Sequence, residues 1–247
     1  MKISIITAVH NGARSIAATL KSVAQQDHEA IEHILVDGAS SDDTVATIRA
    51  HGERVARLIS EPDQGVYDAF NKGLRIATGD VVAFLNCGDT YVSSSVVSRM
   101  AAELSDHSVQ AAFADVLIVD ADDETRVIRR YSSKPFTPRR MALGLMPAHP
   151  TLFLRREIYQ RVGEYNTNYR IAGDFELCLR VFAMRAIRYR YVPEALVRMP
   201  SGGVSNRGWR SKWDITREMQ RACARGGVHT NFAKLCLRFP LKMLEML

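Results

Sequence analysis

Side chains able to do chemistry gather in four polar, glycine-rich segments: His10-Asn11-Gly12, Asp37-Gly38-Ala39-Ser40, Glu61-Pro62-Asp63-Gln64-Gly65 and Asn86-Cys87-Gly88-Asp89. Asp37 precedes a run, Ser40-Ser41-Asp42, that reads as a helix cap, so its carboxylate needs another reason. It could accept hydrogen bonds from a base or a ribose. Asp89 ends a tight turn after an apolar run. There a hard divalent cation would find oxygens in Asp89, in Asn86 and in a diphosphate, since Mg²⁺ and Mn²⁺ are commonly held by one or two carboxylates plus phosphates. Asp174 heads an amphipathic segment whose apolar side is Phe175, Leu179 and Phe182, a position that also suits an N-cap. His149, before Pro150, could line an acceptor pocket or serve the core. Gly202-Gly203-Val204-Ser205-Asn206, between Arg198 and Arg207, reads as a loop able to fold over a diphosphate or as a plain connector. Asp68 and Lys72 stand four apart on one helix, where a surface ion pair worth about 0.3–0.5 kcal/mol explains them without a ligand.

The elements that must position these residues are legible in the apolar pattern. Ile3–Ala8, Ile34–Val36, Arg57–Ser60 and Val81–Leu85 read as strands. Helical spacing falls at Ile16, Leu20, Val23 and Ala24, over Asp42–His51 and over Val66–Ala77. A βαβαβαβ series implies a parallel, doubly wound sheet whose ligands lie at the carboxyl ends of the strands, where the four segments fall. Beyond Val92 the pattern loosens. We expect a helix to about Leu104, strands over Ala111–Val119 and Thr125–Tyr131, and an irregular stretch over Lys134–Arg140. A strand at Thr151–Leu154, helices at Glu157–Val162 and Asp174–Ala186, a strand at Arg188–Val192 and a helical tail after Trp209 follow.

Composition narrows the ligand. Val9-His10-Asn11-Gly12-Ala13-Arg14 stands where a dinucleotide-binding fold needs G-x-G-x-x-G, and no P-loop is present, which argues against a nicotinamide or flavin dehydrogenase. Cys87, Cys178, Cys223 and Cys236 lack paired spacing, which fits a reducing cytoplasm. The first residues read as a core strand rather than a signal peptide. No run approaches the roughly 18 apolar residues of a membrane span. Net charge is +6 over 247 residues, with much of the excess after Arg126. Such a basic half could meet nucleic acid, anionic lipid or a phosphorylated substrate, or could simply be a solvated face.

Three stretches carry a family resemblance. Ile5-Ile6-Thr7-Ala8-Val9-His10-Asn11, Val36-Asp37-Gly38-Ala39-Ser40-Ser41-Asp42 and Glu61 through Gly73 resemble glycosyltransferase family 2, in the family's order. Ala77-Thr78-Gly79-Asp80 and Phe84-Leu85-Asn86-Cys87-Gly88-Asp89 continue the likeness, and His149-Pro150 through Gly173-Asp174 to Arg180 resembles its second half. The resemblance implies a GT-A fold, Rossmann-like with a mixed sheet, an acceptor-side half and C-terminal helices. It further implies an inverting transfer of a sugar from a nucleotide diphosphate sugar to an acceptor hydroxyl. Thr7, Ala8, Asn11, Asp37, Gly65, Asp68, Asn71, Lys72 and Asn86 would then bind the donor, Asp89 would hold Mn²⁺ or Mg²⁺, and Asp174 would be the base. His149, Gly203 and Ser205 would serve the acceptor side or a closing loop. Two motifs depart from the family: Asn86 and Gly88 stand where members often carry the acids of a D-x-D motif, and Phe70 stands where many members carry an arginine.

The expected organisation is a domain over 1–205, with a nucleotide-binding half 1–91 and an acceptor half 92–205, then a basic amphipathic tail 206–247. In the tail Trp209, Trp213, Phe232, Leu235, Phe239, Leu244 and Leu247 mix with arginines and lysines, which suits a helix on an anionic membrane or one packed on its own domain. The expected donor is a UDP-sugar, with GDP- and dTDP-sugars as alternatives. The expected acceptor is a glycan or lipid-linked precursor in polysaccharide or glycolipid assembly, reached from the cytoplasm at the inner face of the membrane. Rival readings are a nucleotidyltransferase and a noncatalytic nucleotide-sugar-binding partner subunit. A nucleic-acid partner ranks last, because no recognition module or stacking platform is present.

Overall fold

Seven consecutive buried residues make up β1 (Ile3–Val9): all but Ser4 and Thr7 are apolar, those two hydroxyls pair with Glu32 and His33, and burial at every position follows from cover on both faces. Ile6 and Ala8 pack against Phe70 and Leu74 on one side. Ile3 and Ile5 join Val97 and Met100 on the other. The computed structural model describes residues 1–183, 187–202 and 208–239. Gly203 and Ser205, the end of the helix expected to reach Ala186, and Leu244 and Leu247 lie outside the described residues.

β1 lies between two parallel neighbours, β2 (Ile31–Asp37) and β4 (Val81–Phe84), and β3 (Val55–Ser60) adds a parallel edge beyond β2. α1 (Ile16–Ala24) and α2 (Thr44–His51) cover one face through Ile16, Leu20 and Ile48. α3 (Val66–Ile76) covers the other, so this half is doubly wound, as the alternating pattern implies.

Past β4 the sheet becomes mixed. β5 (Thr90–Tyr91) and α4 (Val96–Glu103) lead to a long strand, β6 (Ala111–Val119), whose hairpin partner is β7 (Val127–Tyr131). β8 (Phe153–Arg155) then inserts antiparallel between β4 and β6, and after α5 (Arg156–Val162) and α6 (Gly173–Ala183) comes β9 (Tyr189–Pro200). Among the described residues the order is β3-β2-β1-β4-β8-β6-β9-β5, with β7 beside β6.

Two boundaries differ from expectation for local reasons. Thr151 is not in a strand: it ends a 3-10 turn, His149–Thr151. Its hydroxyl bridges the carbonyls of Ala114 and Ala148, each at 2.8 Å, in place of ladder bonds. β9 continues to Pro200 rather than stopping at Val192, because the pairing with β6 shifts register across Pro193, which has no N–H to donate, and then resumes.

The tail does not stand apart from the domain. α7 (Gly208–Arg225) and α8 (Phe232–Cys236) place Met219, Ala222, Cys223 and Leu235 in the same core cluster as α3 and α6. Arg238 is buried with them, its guanidinium donating to the Leu235 carbonyl at 2.8 Å and the Thr216 hydroxyl at 2.7 Å. Burial lowers its pKa from the usual arginine value. An amphipathic pattern of this kind is produced equally by a lipid surface and by a protein core, and α7 spends its apolar side on the core.

Candidate functional site

At the carboxyl end of β2 the Asp37 carboxylate is fully buried. It accepts from the Ser60 hydroxyl at 2.6 Å, from the Ser40 backbone N–H at 3.2 Å, and from the Ser40 hydroxyl. Asn11, at φ 50, ties the end of β1 to the same turn: its N–H donates to Ser40 Oγ at 2.7 Å and its Oδ1 accepts from Ser41 N–H at 2.9 Å. His10 Nδ1 donates to the Gly38 carbonyl at 2.9 Å. A Cβ on Gly38 would meet Asp63 Oδ2 at 2.3 Å, so a larger residue there would have to push the Asp63 side chain aside. The same loop is braced by Asp63, which accepts from Gly65 N–H at 2.8 Å. The strand ends thus form one interlocked rim.

The Asn86–Asp89 turn seats on that rim. Thr19 of α1 receives the Gly88 N–H at 2.9 Å and donates to the Asp89 carbonyl at 2.9 Å. A Cβ on Gly12 would strike Cys87 Sγ at 2.7 Å. Gly88 has φ 95, a conformation that favours glycine. The Asp89 side chain is buried, and the Asn86 amide donates to it at 3.3 Å. Burial pushes its pKa up to about 7, the Asn86 bonds opposing the rise. A carboxylate this poorly solvated gains from a nearby cation, which stabilises its charged form. Among the described residues no group of three or more His, Cys, Asp or Glu could hold a metal ion. The donor set therefore fits a Mg²⁺ or Mn²⁺ held by Asp89, the Asn86 oxygen and a ligand's phosphates, and does not fit a cage built from protein alone.

Asp174 stands in the first turn of α6, partly exposed, with its Oδ1 accepting from Phe175 N–H at 2.7 Å. The helix dipole there favours negative charge. Close packing brings it to α3: a Cβ on the preceding Gly173 would fall 2.7 Å from the Tyr67 ring, and the Tyr67 hydroxyl donates to the Ile171 carbonyl. Burial, then the Asp174 charge, raises the pKa of Tyr67 well above the ordinary tyrosine value. Since α3 begins at the Glu61–Gly65 loop, Asp174 is joined to the rim through one rigid helix.

Other expected donor residues have different partners. Asn71 is buried and clamps the Tyr165 backbone, Nδ2 donating to its carbonyl at 2.9 Å and Oδ1 accepting its N–H at 2.8 Å. Asp68 accepts from Gln64 N–H at 3.1 Å, which ties the preceding loop to the first turn of α3. Lys72 Nζ donates to the Pro62 carbonyl at 2.6 Å and pairs with Glu61 at 3.0 Å, so it braces the loop from behind. Thr7 is buried with its hydroxyl 3.1 Å from His33 Nε2, and Ala8 packs in the α3-side core. Gly65, at φ 119, shapes the loop as the N-cap of α3. His149 is buried among Phe70, Phe84 and Tyr165, sharing a 2.7 Å hydrogen bond with the Tyr165 hydroxyl. Burial lowers its pKa to about 4. These placements favour the structural alternatives for Asp68, Lys72 and His149. Sequence reasoning missed His10, Thr19, Ser60, Asp63 and Tyr67. Of these, His10 and Asp63 sat inside segments already singled out, whereas Thr19 and Ser60 carried no signal beyond their type.

The family model described as Glycosyl transferase family 2 matches residues 4–163. A PGL/p-HBAD biosynthesis glycosyltransferase of Mycobacterium tuberculosis is 32% identical over 209 residues, covering 82% of this chain and 78% of the relative. Among solved structures, the mannosyltransferase PcManGT from Pyrobaculum calidifontis, in complex with GDP-Man and Mn²⁺, aligns at TM-score 0.68 and 24% identity over 91% of this chain and 63% of its own. Residues 1–349 of S. aureus TarS, in complex with UDP-GlcNAc, align at TM-score 0.70 and 16% identity over 95% and 70%. The chain spans 39% of a longer TarS chain. At these identities the two structures speak for a shared GT-A fold. Matched by the family model over more than half its length and by a curated relative over most of it, the chain belongs to glycosyl transferase family 2 and is a glycosyltransferase.

Proposed function

We propose that the chain transfers a sugar from a nucleoside diphosphate sugar to an acceptor hydroxyl with inversion at the anomeric carbon. One observation carries the reading: the strand-end rim with Asp37 and the helix-borne Asp174 are joined through α3, so a nucleotide site and a base share one rigid frame. Complexes of PcManGT with GDP-Man and of TarS with UDP-GlcNAc support the donor class. In the step, the acceptor oxygen bonds to the anomeric carbon and its proton passes to an Asp174 oxygen. The bond from that carbon to the diphosphate breaks, its electron pair leaving with the nucleoside diphosphate. Asp37, Asn11 and the Gly65 loop shape the nucleotide end. A Mg²⁺ or Mn²⁺ held by Asp89 and Asn86 would supply positive charge to the departing diphosphate.

The test offers UDP-, GDP- and dTDP-sugars to the purified chain with Mn²⁺, Mg²⁺ or EDTA, and follows thermal shift and the phosphorylated product. The expected product is a nucleoside diphosphate, formed fastest with a UDP-sugar and at least ~10-fold more slowly in EDTA. Pyrophosphate release would mean a nucleotidyltransferase, and binding without turnover a partner subunit.

The acceptor we propose is a lipid-linked or glycan precursor met at an anionic cytoplasmic membrane face. No described helix is long and apolar enough to cross a membrane. Trp213 and Leu237, each 50% exposed, lie near Lys212, Arg217 and Lys234 on α7 and α8, a mixture suited to a lipid interface. The chain should therefore sediment with phosphatidylglycerol-containing vesicles and not with pure phosphatidylcholine, and Trp213→Ala should weaken that partition. Equal partition to both vesicles, or to neither, would sink the membrane reading.

A further inference from the structure

We infer that Glu218 of α7 is a positioning residue for Asp174, so the C-terminal helix sets turnover without touching the donor. The inference rests on reading Asp174 as the base.

Three consecutive backbone N–H groups, from Arg170, Ile171 and Ala172, converge on the Glu218 carboxylate at 2.9, 2.9 and 2.8 Å. These residues lead directly into α6. The Ala172 carbonyl accepts the Glu176 N–H at 3.0 Å, the opening bond of that helix. Helix-entry N–H groups have no intrahelical acceptor, and a carboxylate satisfies them with charge-assisted bonds at the positive end of the dipole.

One turn along α7, Arg221 Nη2 donates to the Asn168 carbonyl at 2.9 Å while its guanidinium lies 4.5 Å from the Tyr169 ring centroid. Tyr67 holds the Ile171 carbonyl from the α3 side. The loop is thus gripped between the helix that frames the nucleotide rim and a helix of the tail, and Asp174 follows Ala172 by two residues. Of these restraints, Glu218 is the one that fixes three successive peptide groups at once. Without it the entry to α6 is free to tilt, and a displacement of about 1 Å at a catalytic group can cost on the order of 100-fold in rate.

The experiment compares Glu218→Ala, Glu218→Gln, Asp174→Asn and the Glu218→Ala/Asp174→Asn double variant in the full chain. It uses whichever of the UDP-, GDP- and dTDP-sugars turns over fastest. Glu218→Ala is expected to lower kcat by ~100-fold with the donor KM within ~2-fold, and to speed amide exchange at residues 170–172. Glu218→Gln retains one acceptor oxygen and should recover part of kcat. The double variant should be no slower than Asp174→Asn, since both lesions act on one group. An unchanged kcat in Glu218→Ala beside an inactive Asp174→Asn overturns the inference alone. So does a loss that follows donor KM or folded fraction, or one that multiplies in the double variant. Full turnover in Asp174→Asn overturns the base assignment, and the inference with it.

Discussion

Asp174→Asn should lower the transfer kcat by ~10²–10⁴-fold, the range expected for losing a positioned proton acceptor. The substitution discriminates well because of what it leaves in place. The Asp174 Oδ1 accepts the Phe175 N–H at 2.7 Å, a bond an asparagine oxygen can keep, so the first turn of α6 survives. Gly173 still packs against Tyr67, whose ring tolerates no extra carbon there. What disappears is the negative charge and the capacity to take a proton. The donor KM and the melting temperature are therefore expected to stay near the unaltered values while kcat collapses. A variant that turns over within a few-fold of the parent would move the base elsewhere.

The second large effect concerns acid. His33 and His149 are wholly enclosed, and burial is the first cause of their lowered pKa values, about 3 and about 4, with the Arg54 charge adding to the shift at His33. In the unfolded chain both titrate near 6.5. Between those limits the unfolded state binds more protons than the folded one. The stability they sustain is therefore complete above 6.5 and is lost progressively as pH falls from there to about 4 for His149 and about 3 for His33. Between about pH 8 and about pH 5 each histidine accounts for on the order of 2 kcal/mol, a figure that depends little on the folded value so long as it stays below 5. Asp89 acts in the opposite sense: raised to about 7, it takes up its proton first in the folded state and adds stability as pH falls through that value. The net slope mixes both, so the diagnostic is a difference. In urea melts at the two pH values, His33→Gln and His149→Gln should each shift the pH-induced stability change relative to the parent by ~2 kcal/mol, in the direction of less acid sensitivity. An unaltered dependence would mean that these rings already take up protons in the folded state at pH 5.

The first half of the molecule was legible because its signals are local. A strand buried on both faces is mostly apolar, as Ile3–Val9 is apart from the hydrogen-bonded Ser4 and Thr7, and the polar residues at its end must face a ligand or a neighbouring loop. The second half was harder for equally physical reasons. β9 hides behind Pro193, and Thr151 replaces strand pairing by its hydroxyl. Neither event has a periodicity. Among the candidate site residues, position just past a strand end singled out Asp37 and Asp89, and the family resemblance singled out Asp174. Neither signal could show that Asn71 spends its amide on Tyr165 or that His149 is enclosed by aromatic rings, since both depend on contacts between segments distant in sequence. The tail illustrates the same limit. Its amphipathic face is visible in the sequence, but that this face meets α6 and that Glu218 gathers three N–H groups of another segment depend on contacts no local pattern encodes.

Gly88 bears on how readily the Asn86–Asp89 turn could acquire a second acid. Space for an aspartate side chain is available, the nearest atom to a Cβ being Ser15 Cβ at 3.6 Å. The obstacle is the backbone: φ 95 lies beyond the left-handed helical region that aspartate tolerates, at a cost of order 1–3 kcal/mol. A lineage or a designer moving towards tighter cation retention would have to reshape the turn on Thr19 before, or together with, adding the carboxylate. In this turn the backbone, as much as the side chains, decides how many carboxylates can be presented.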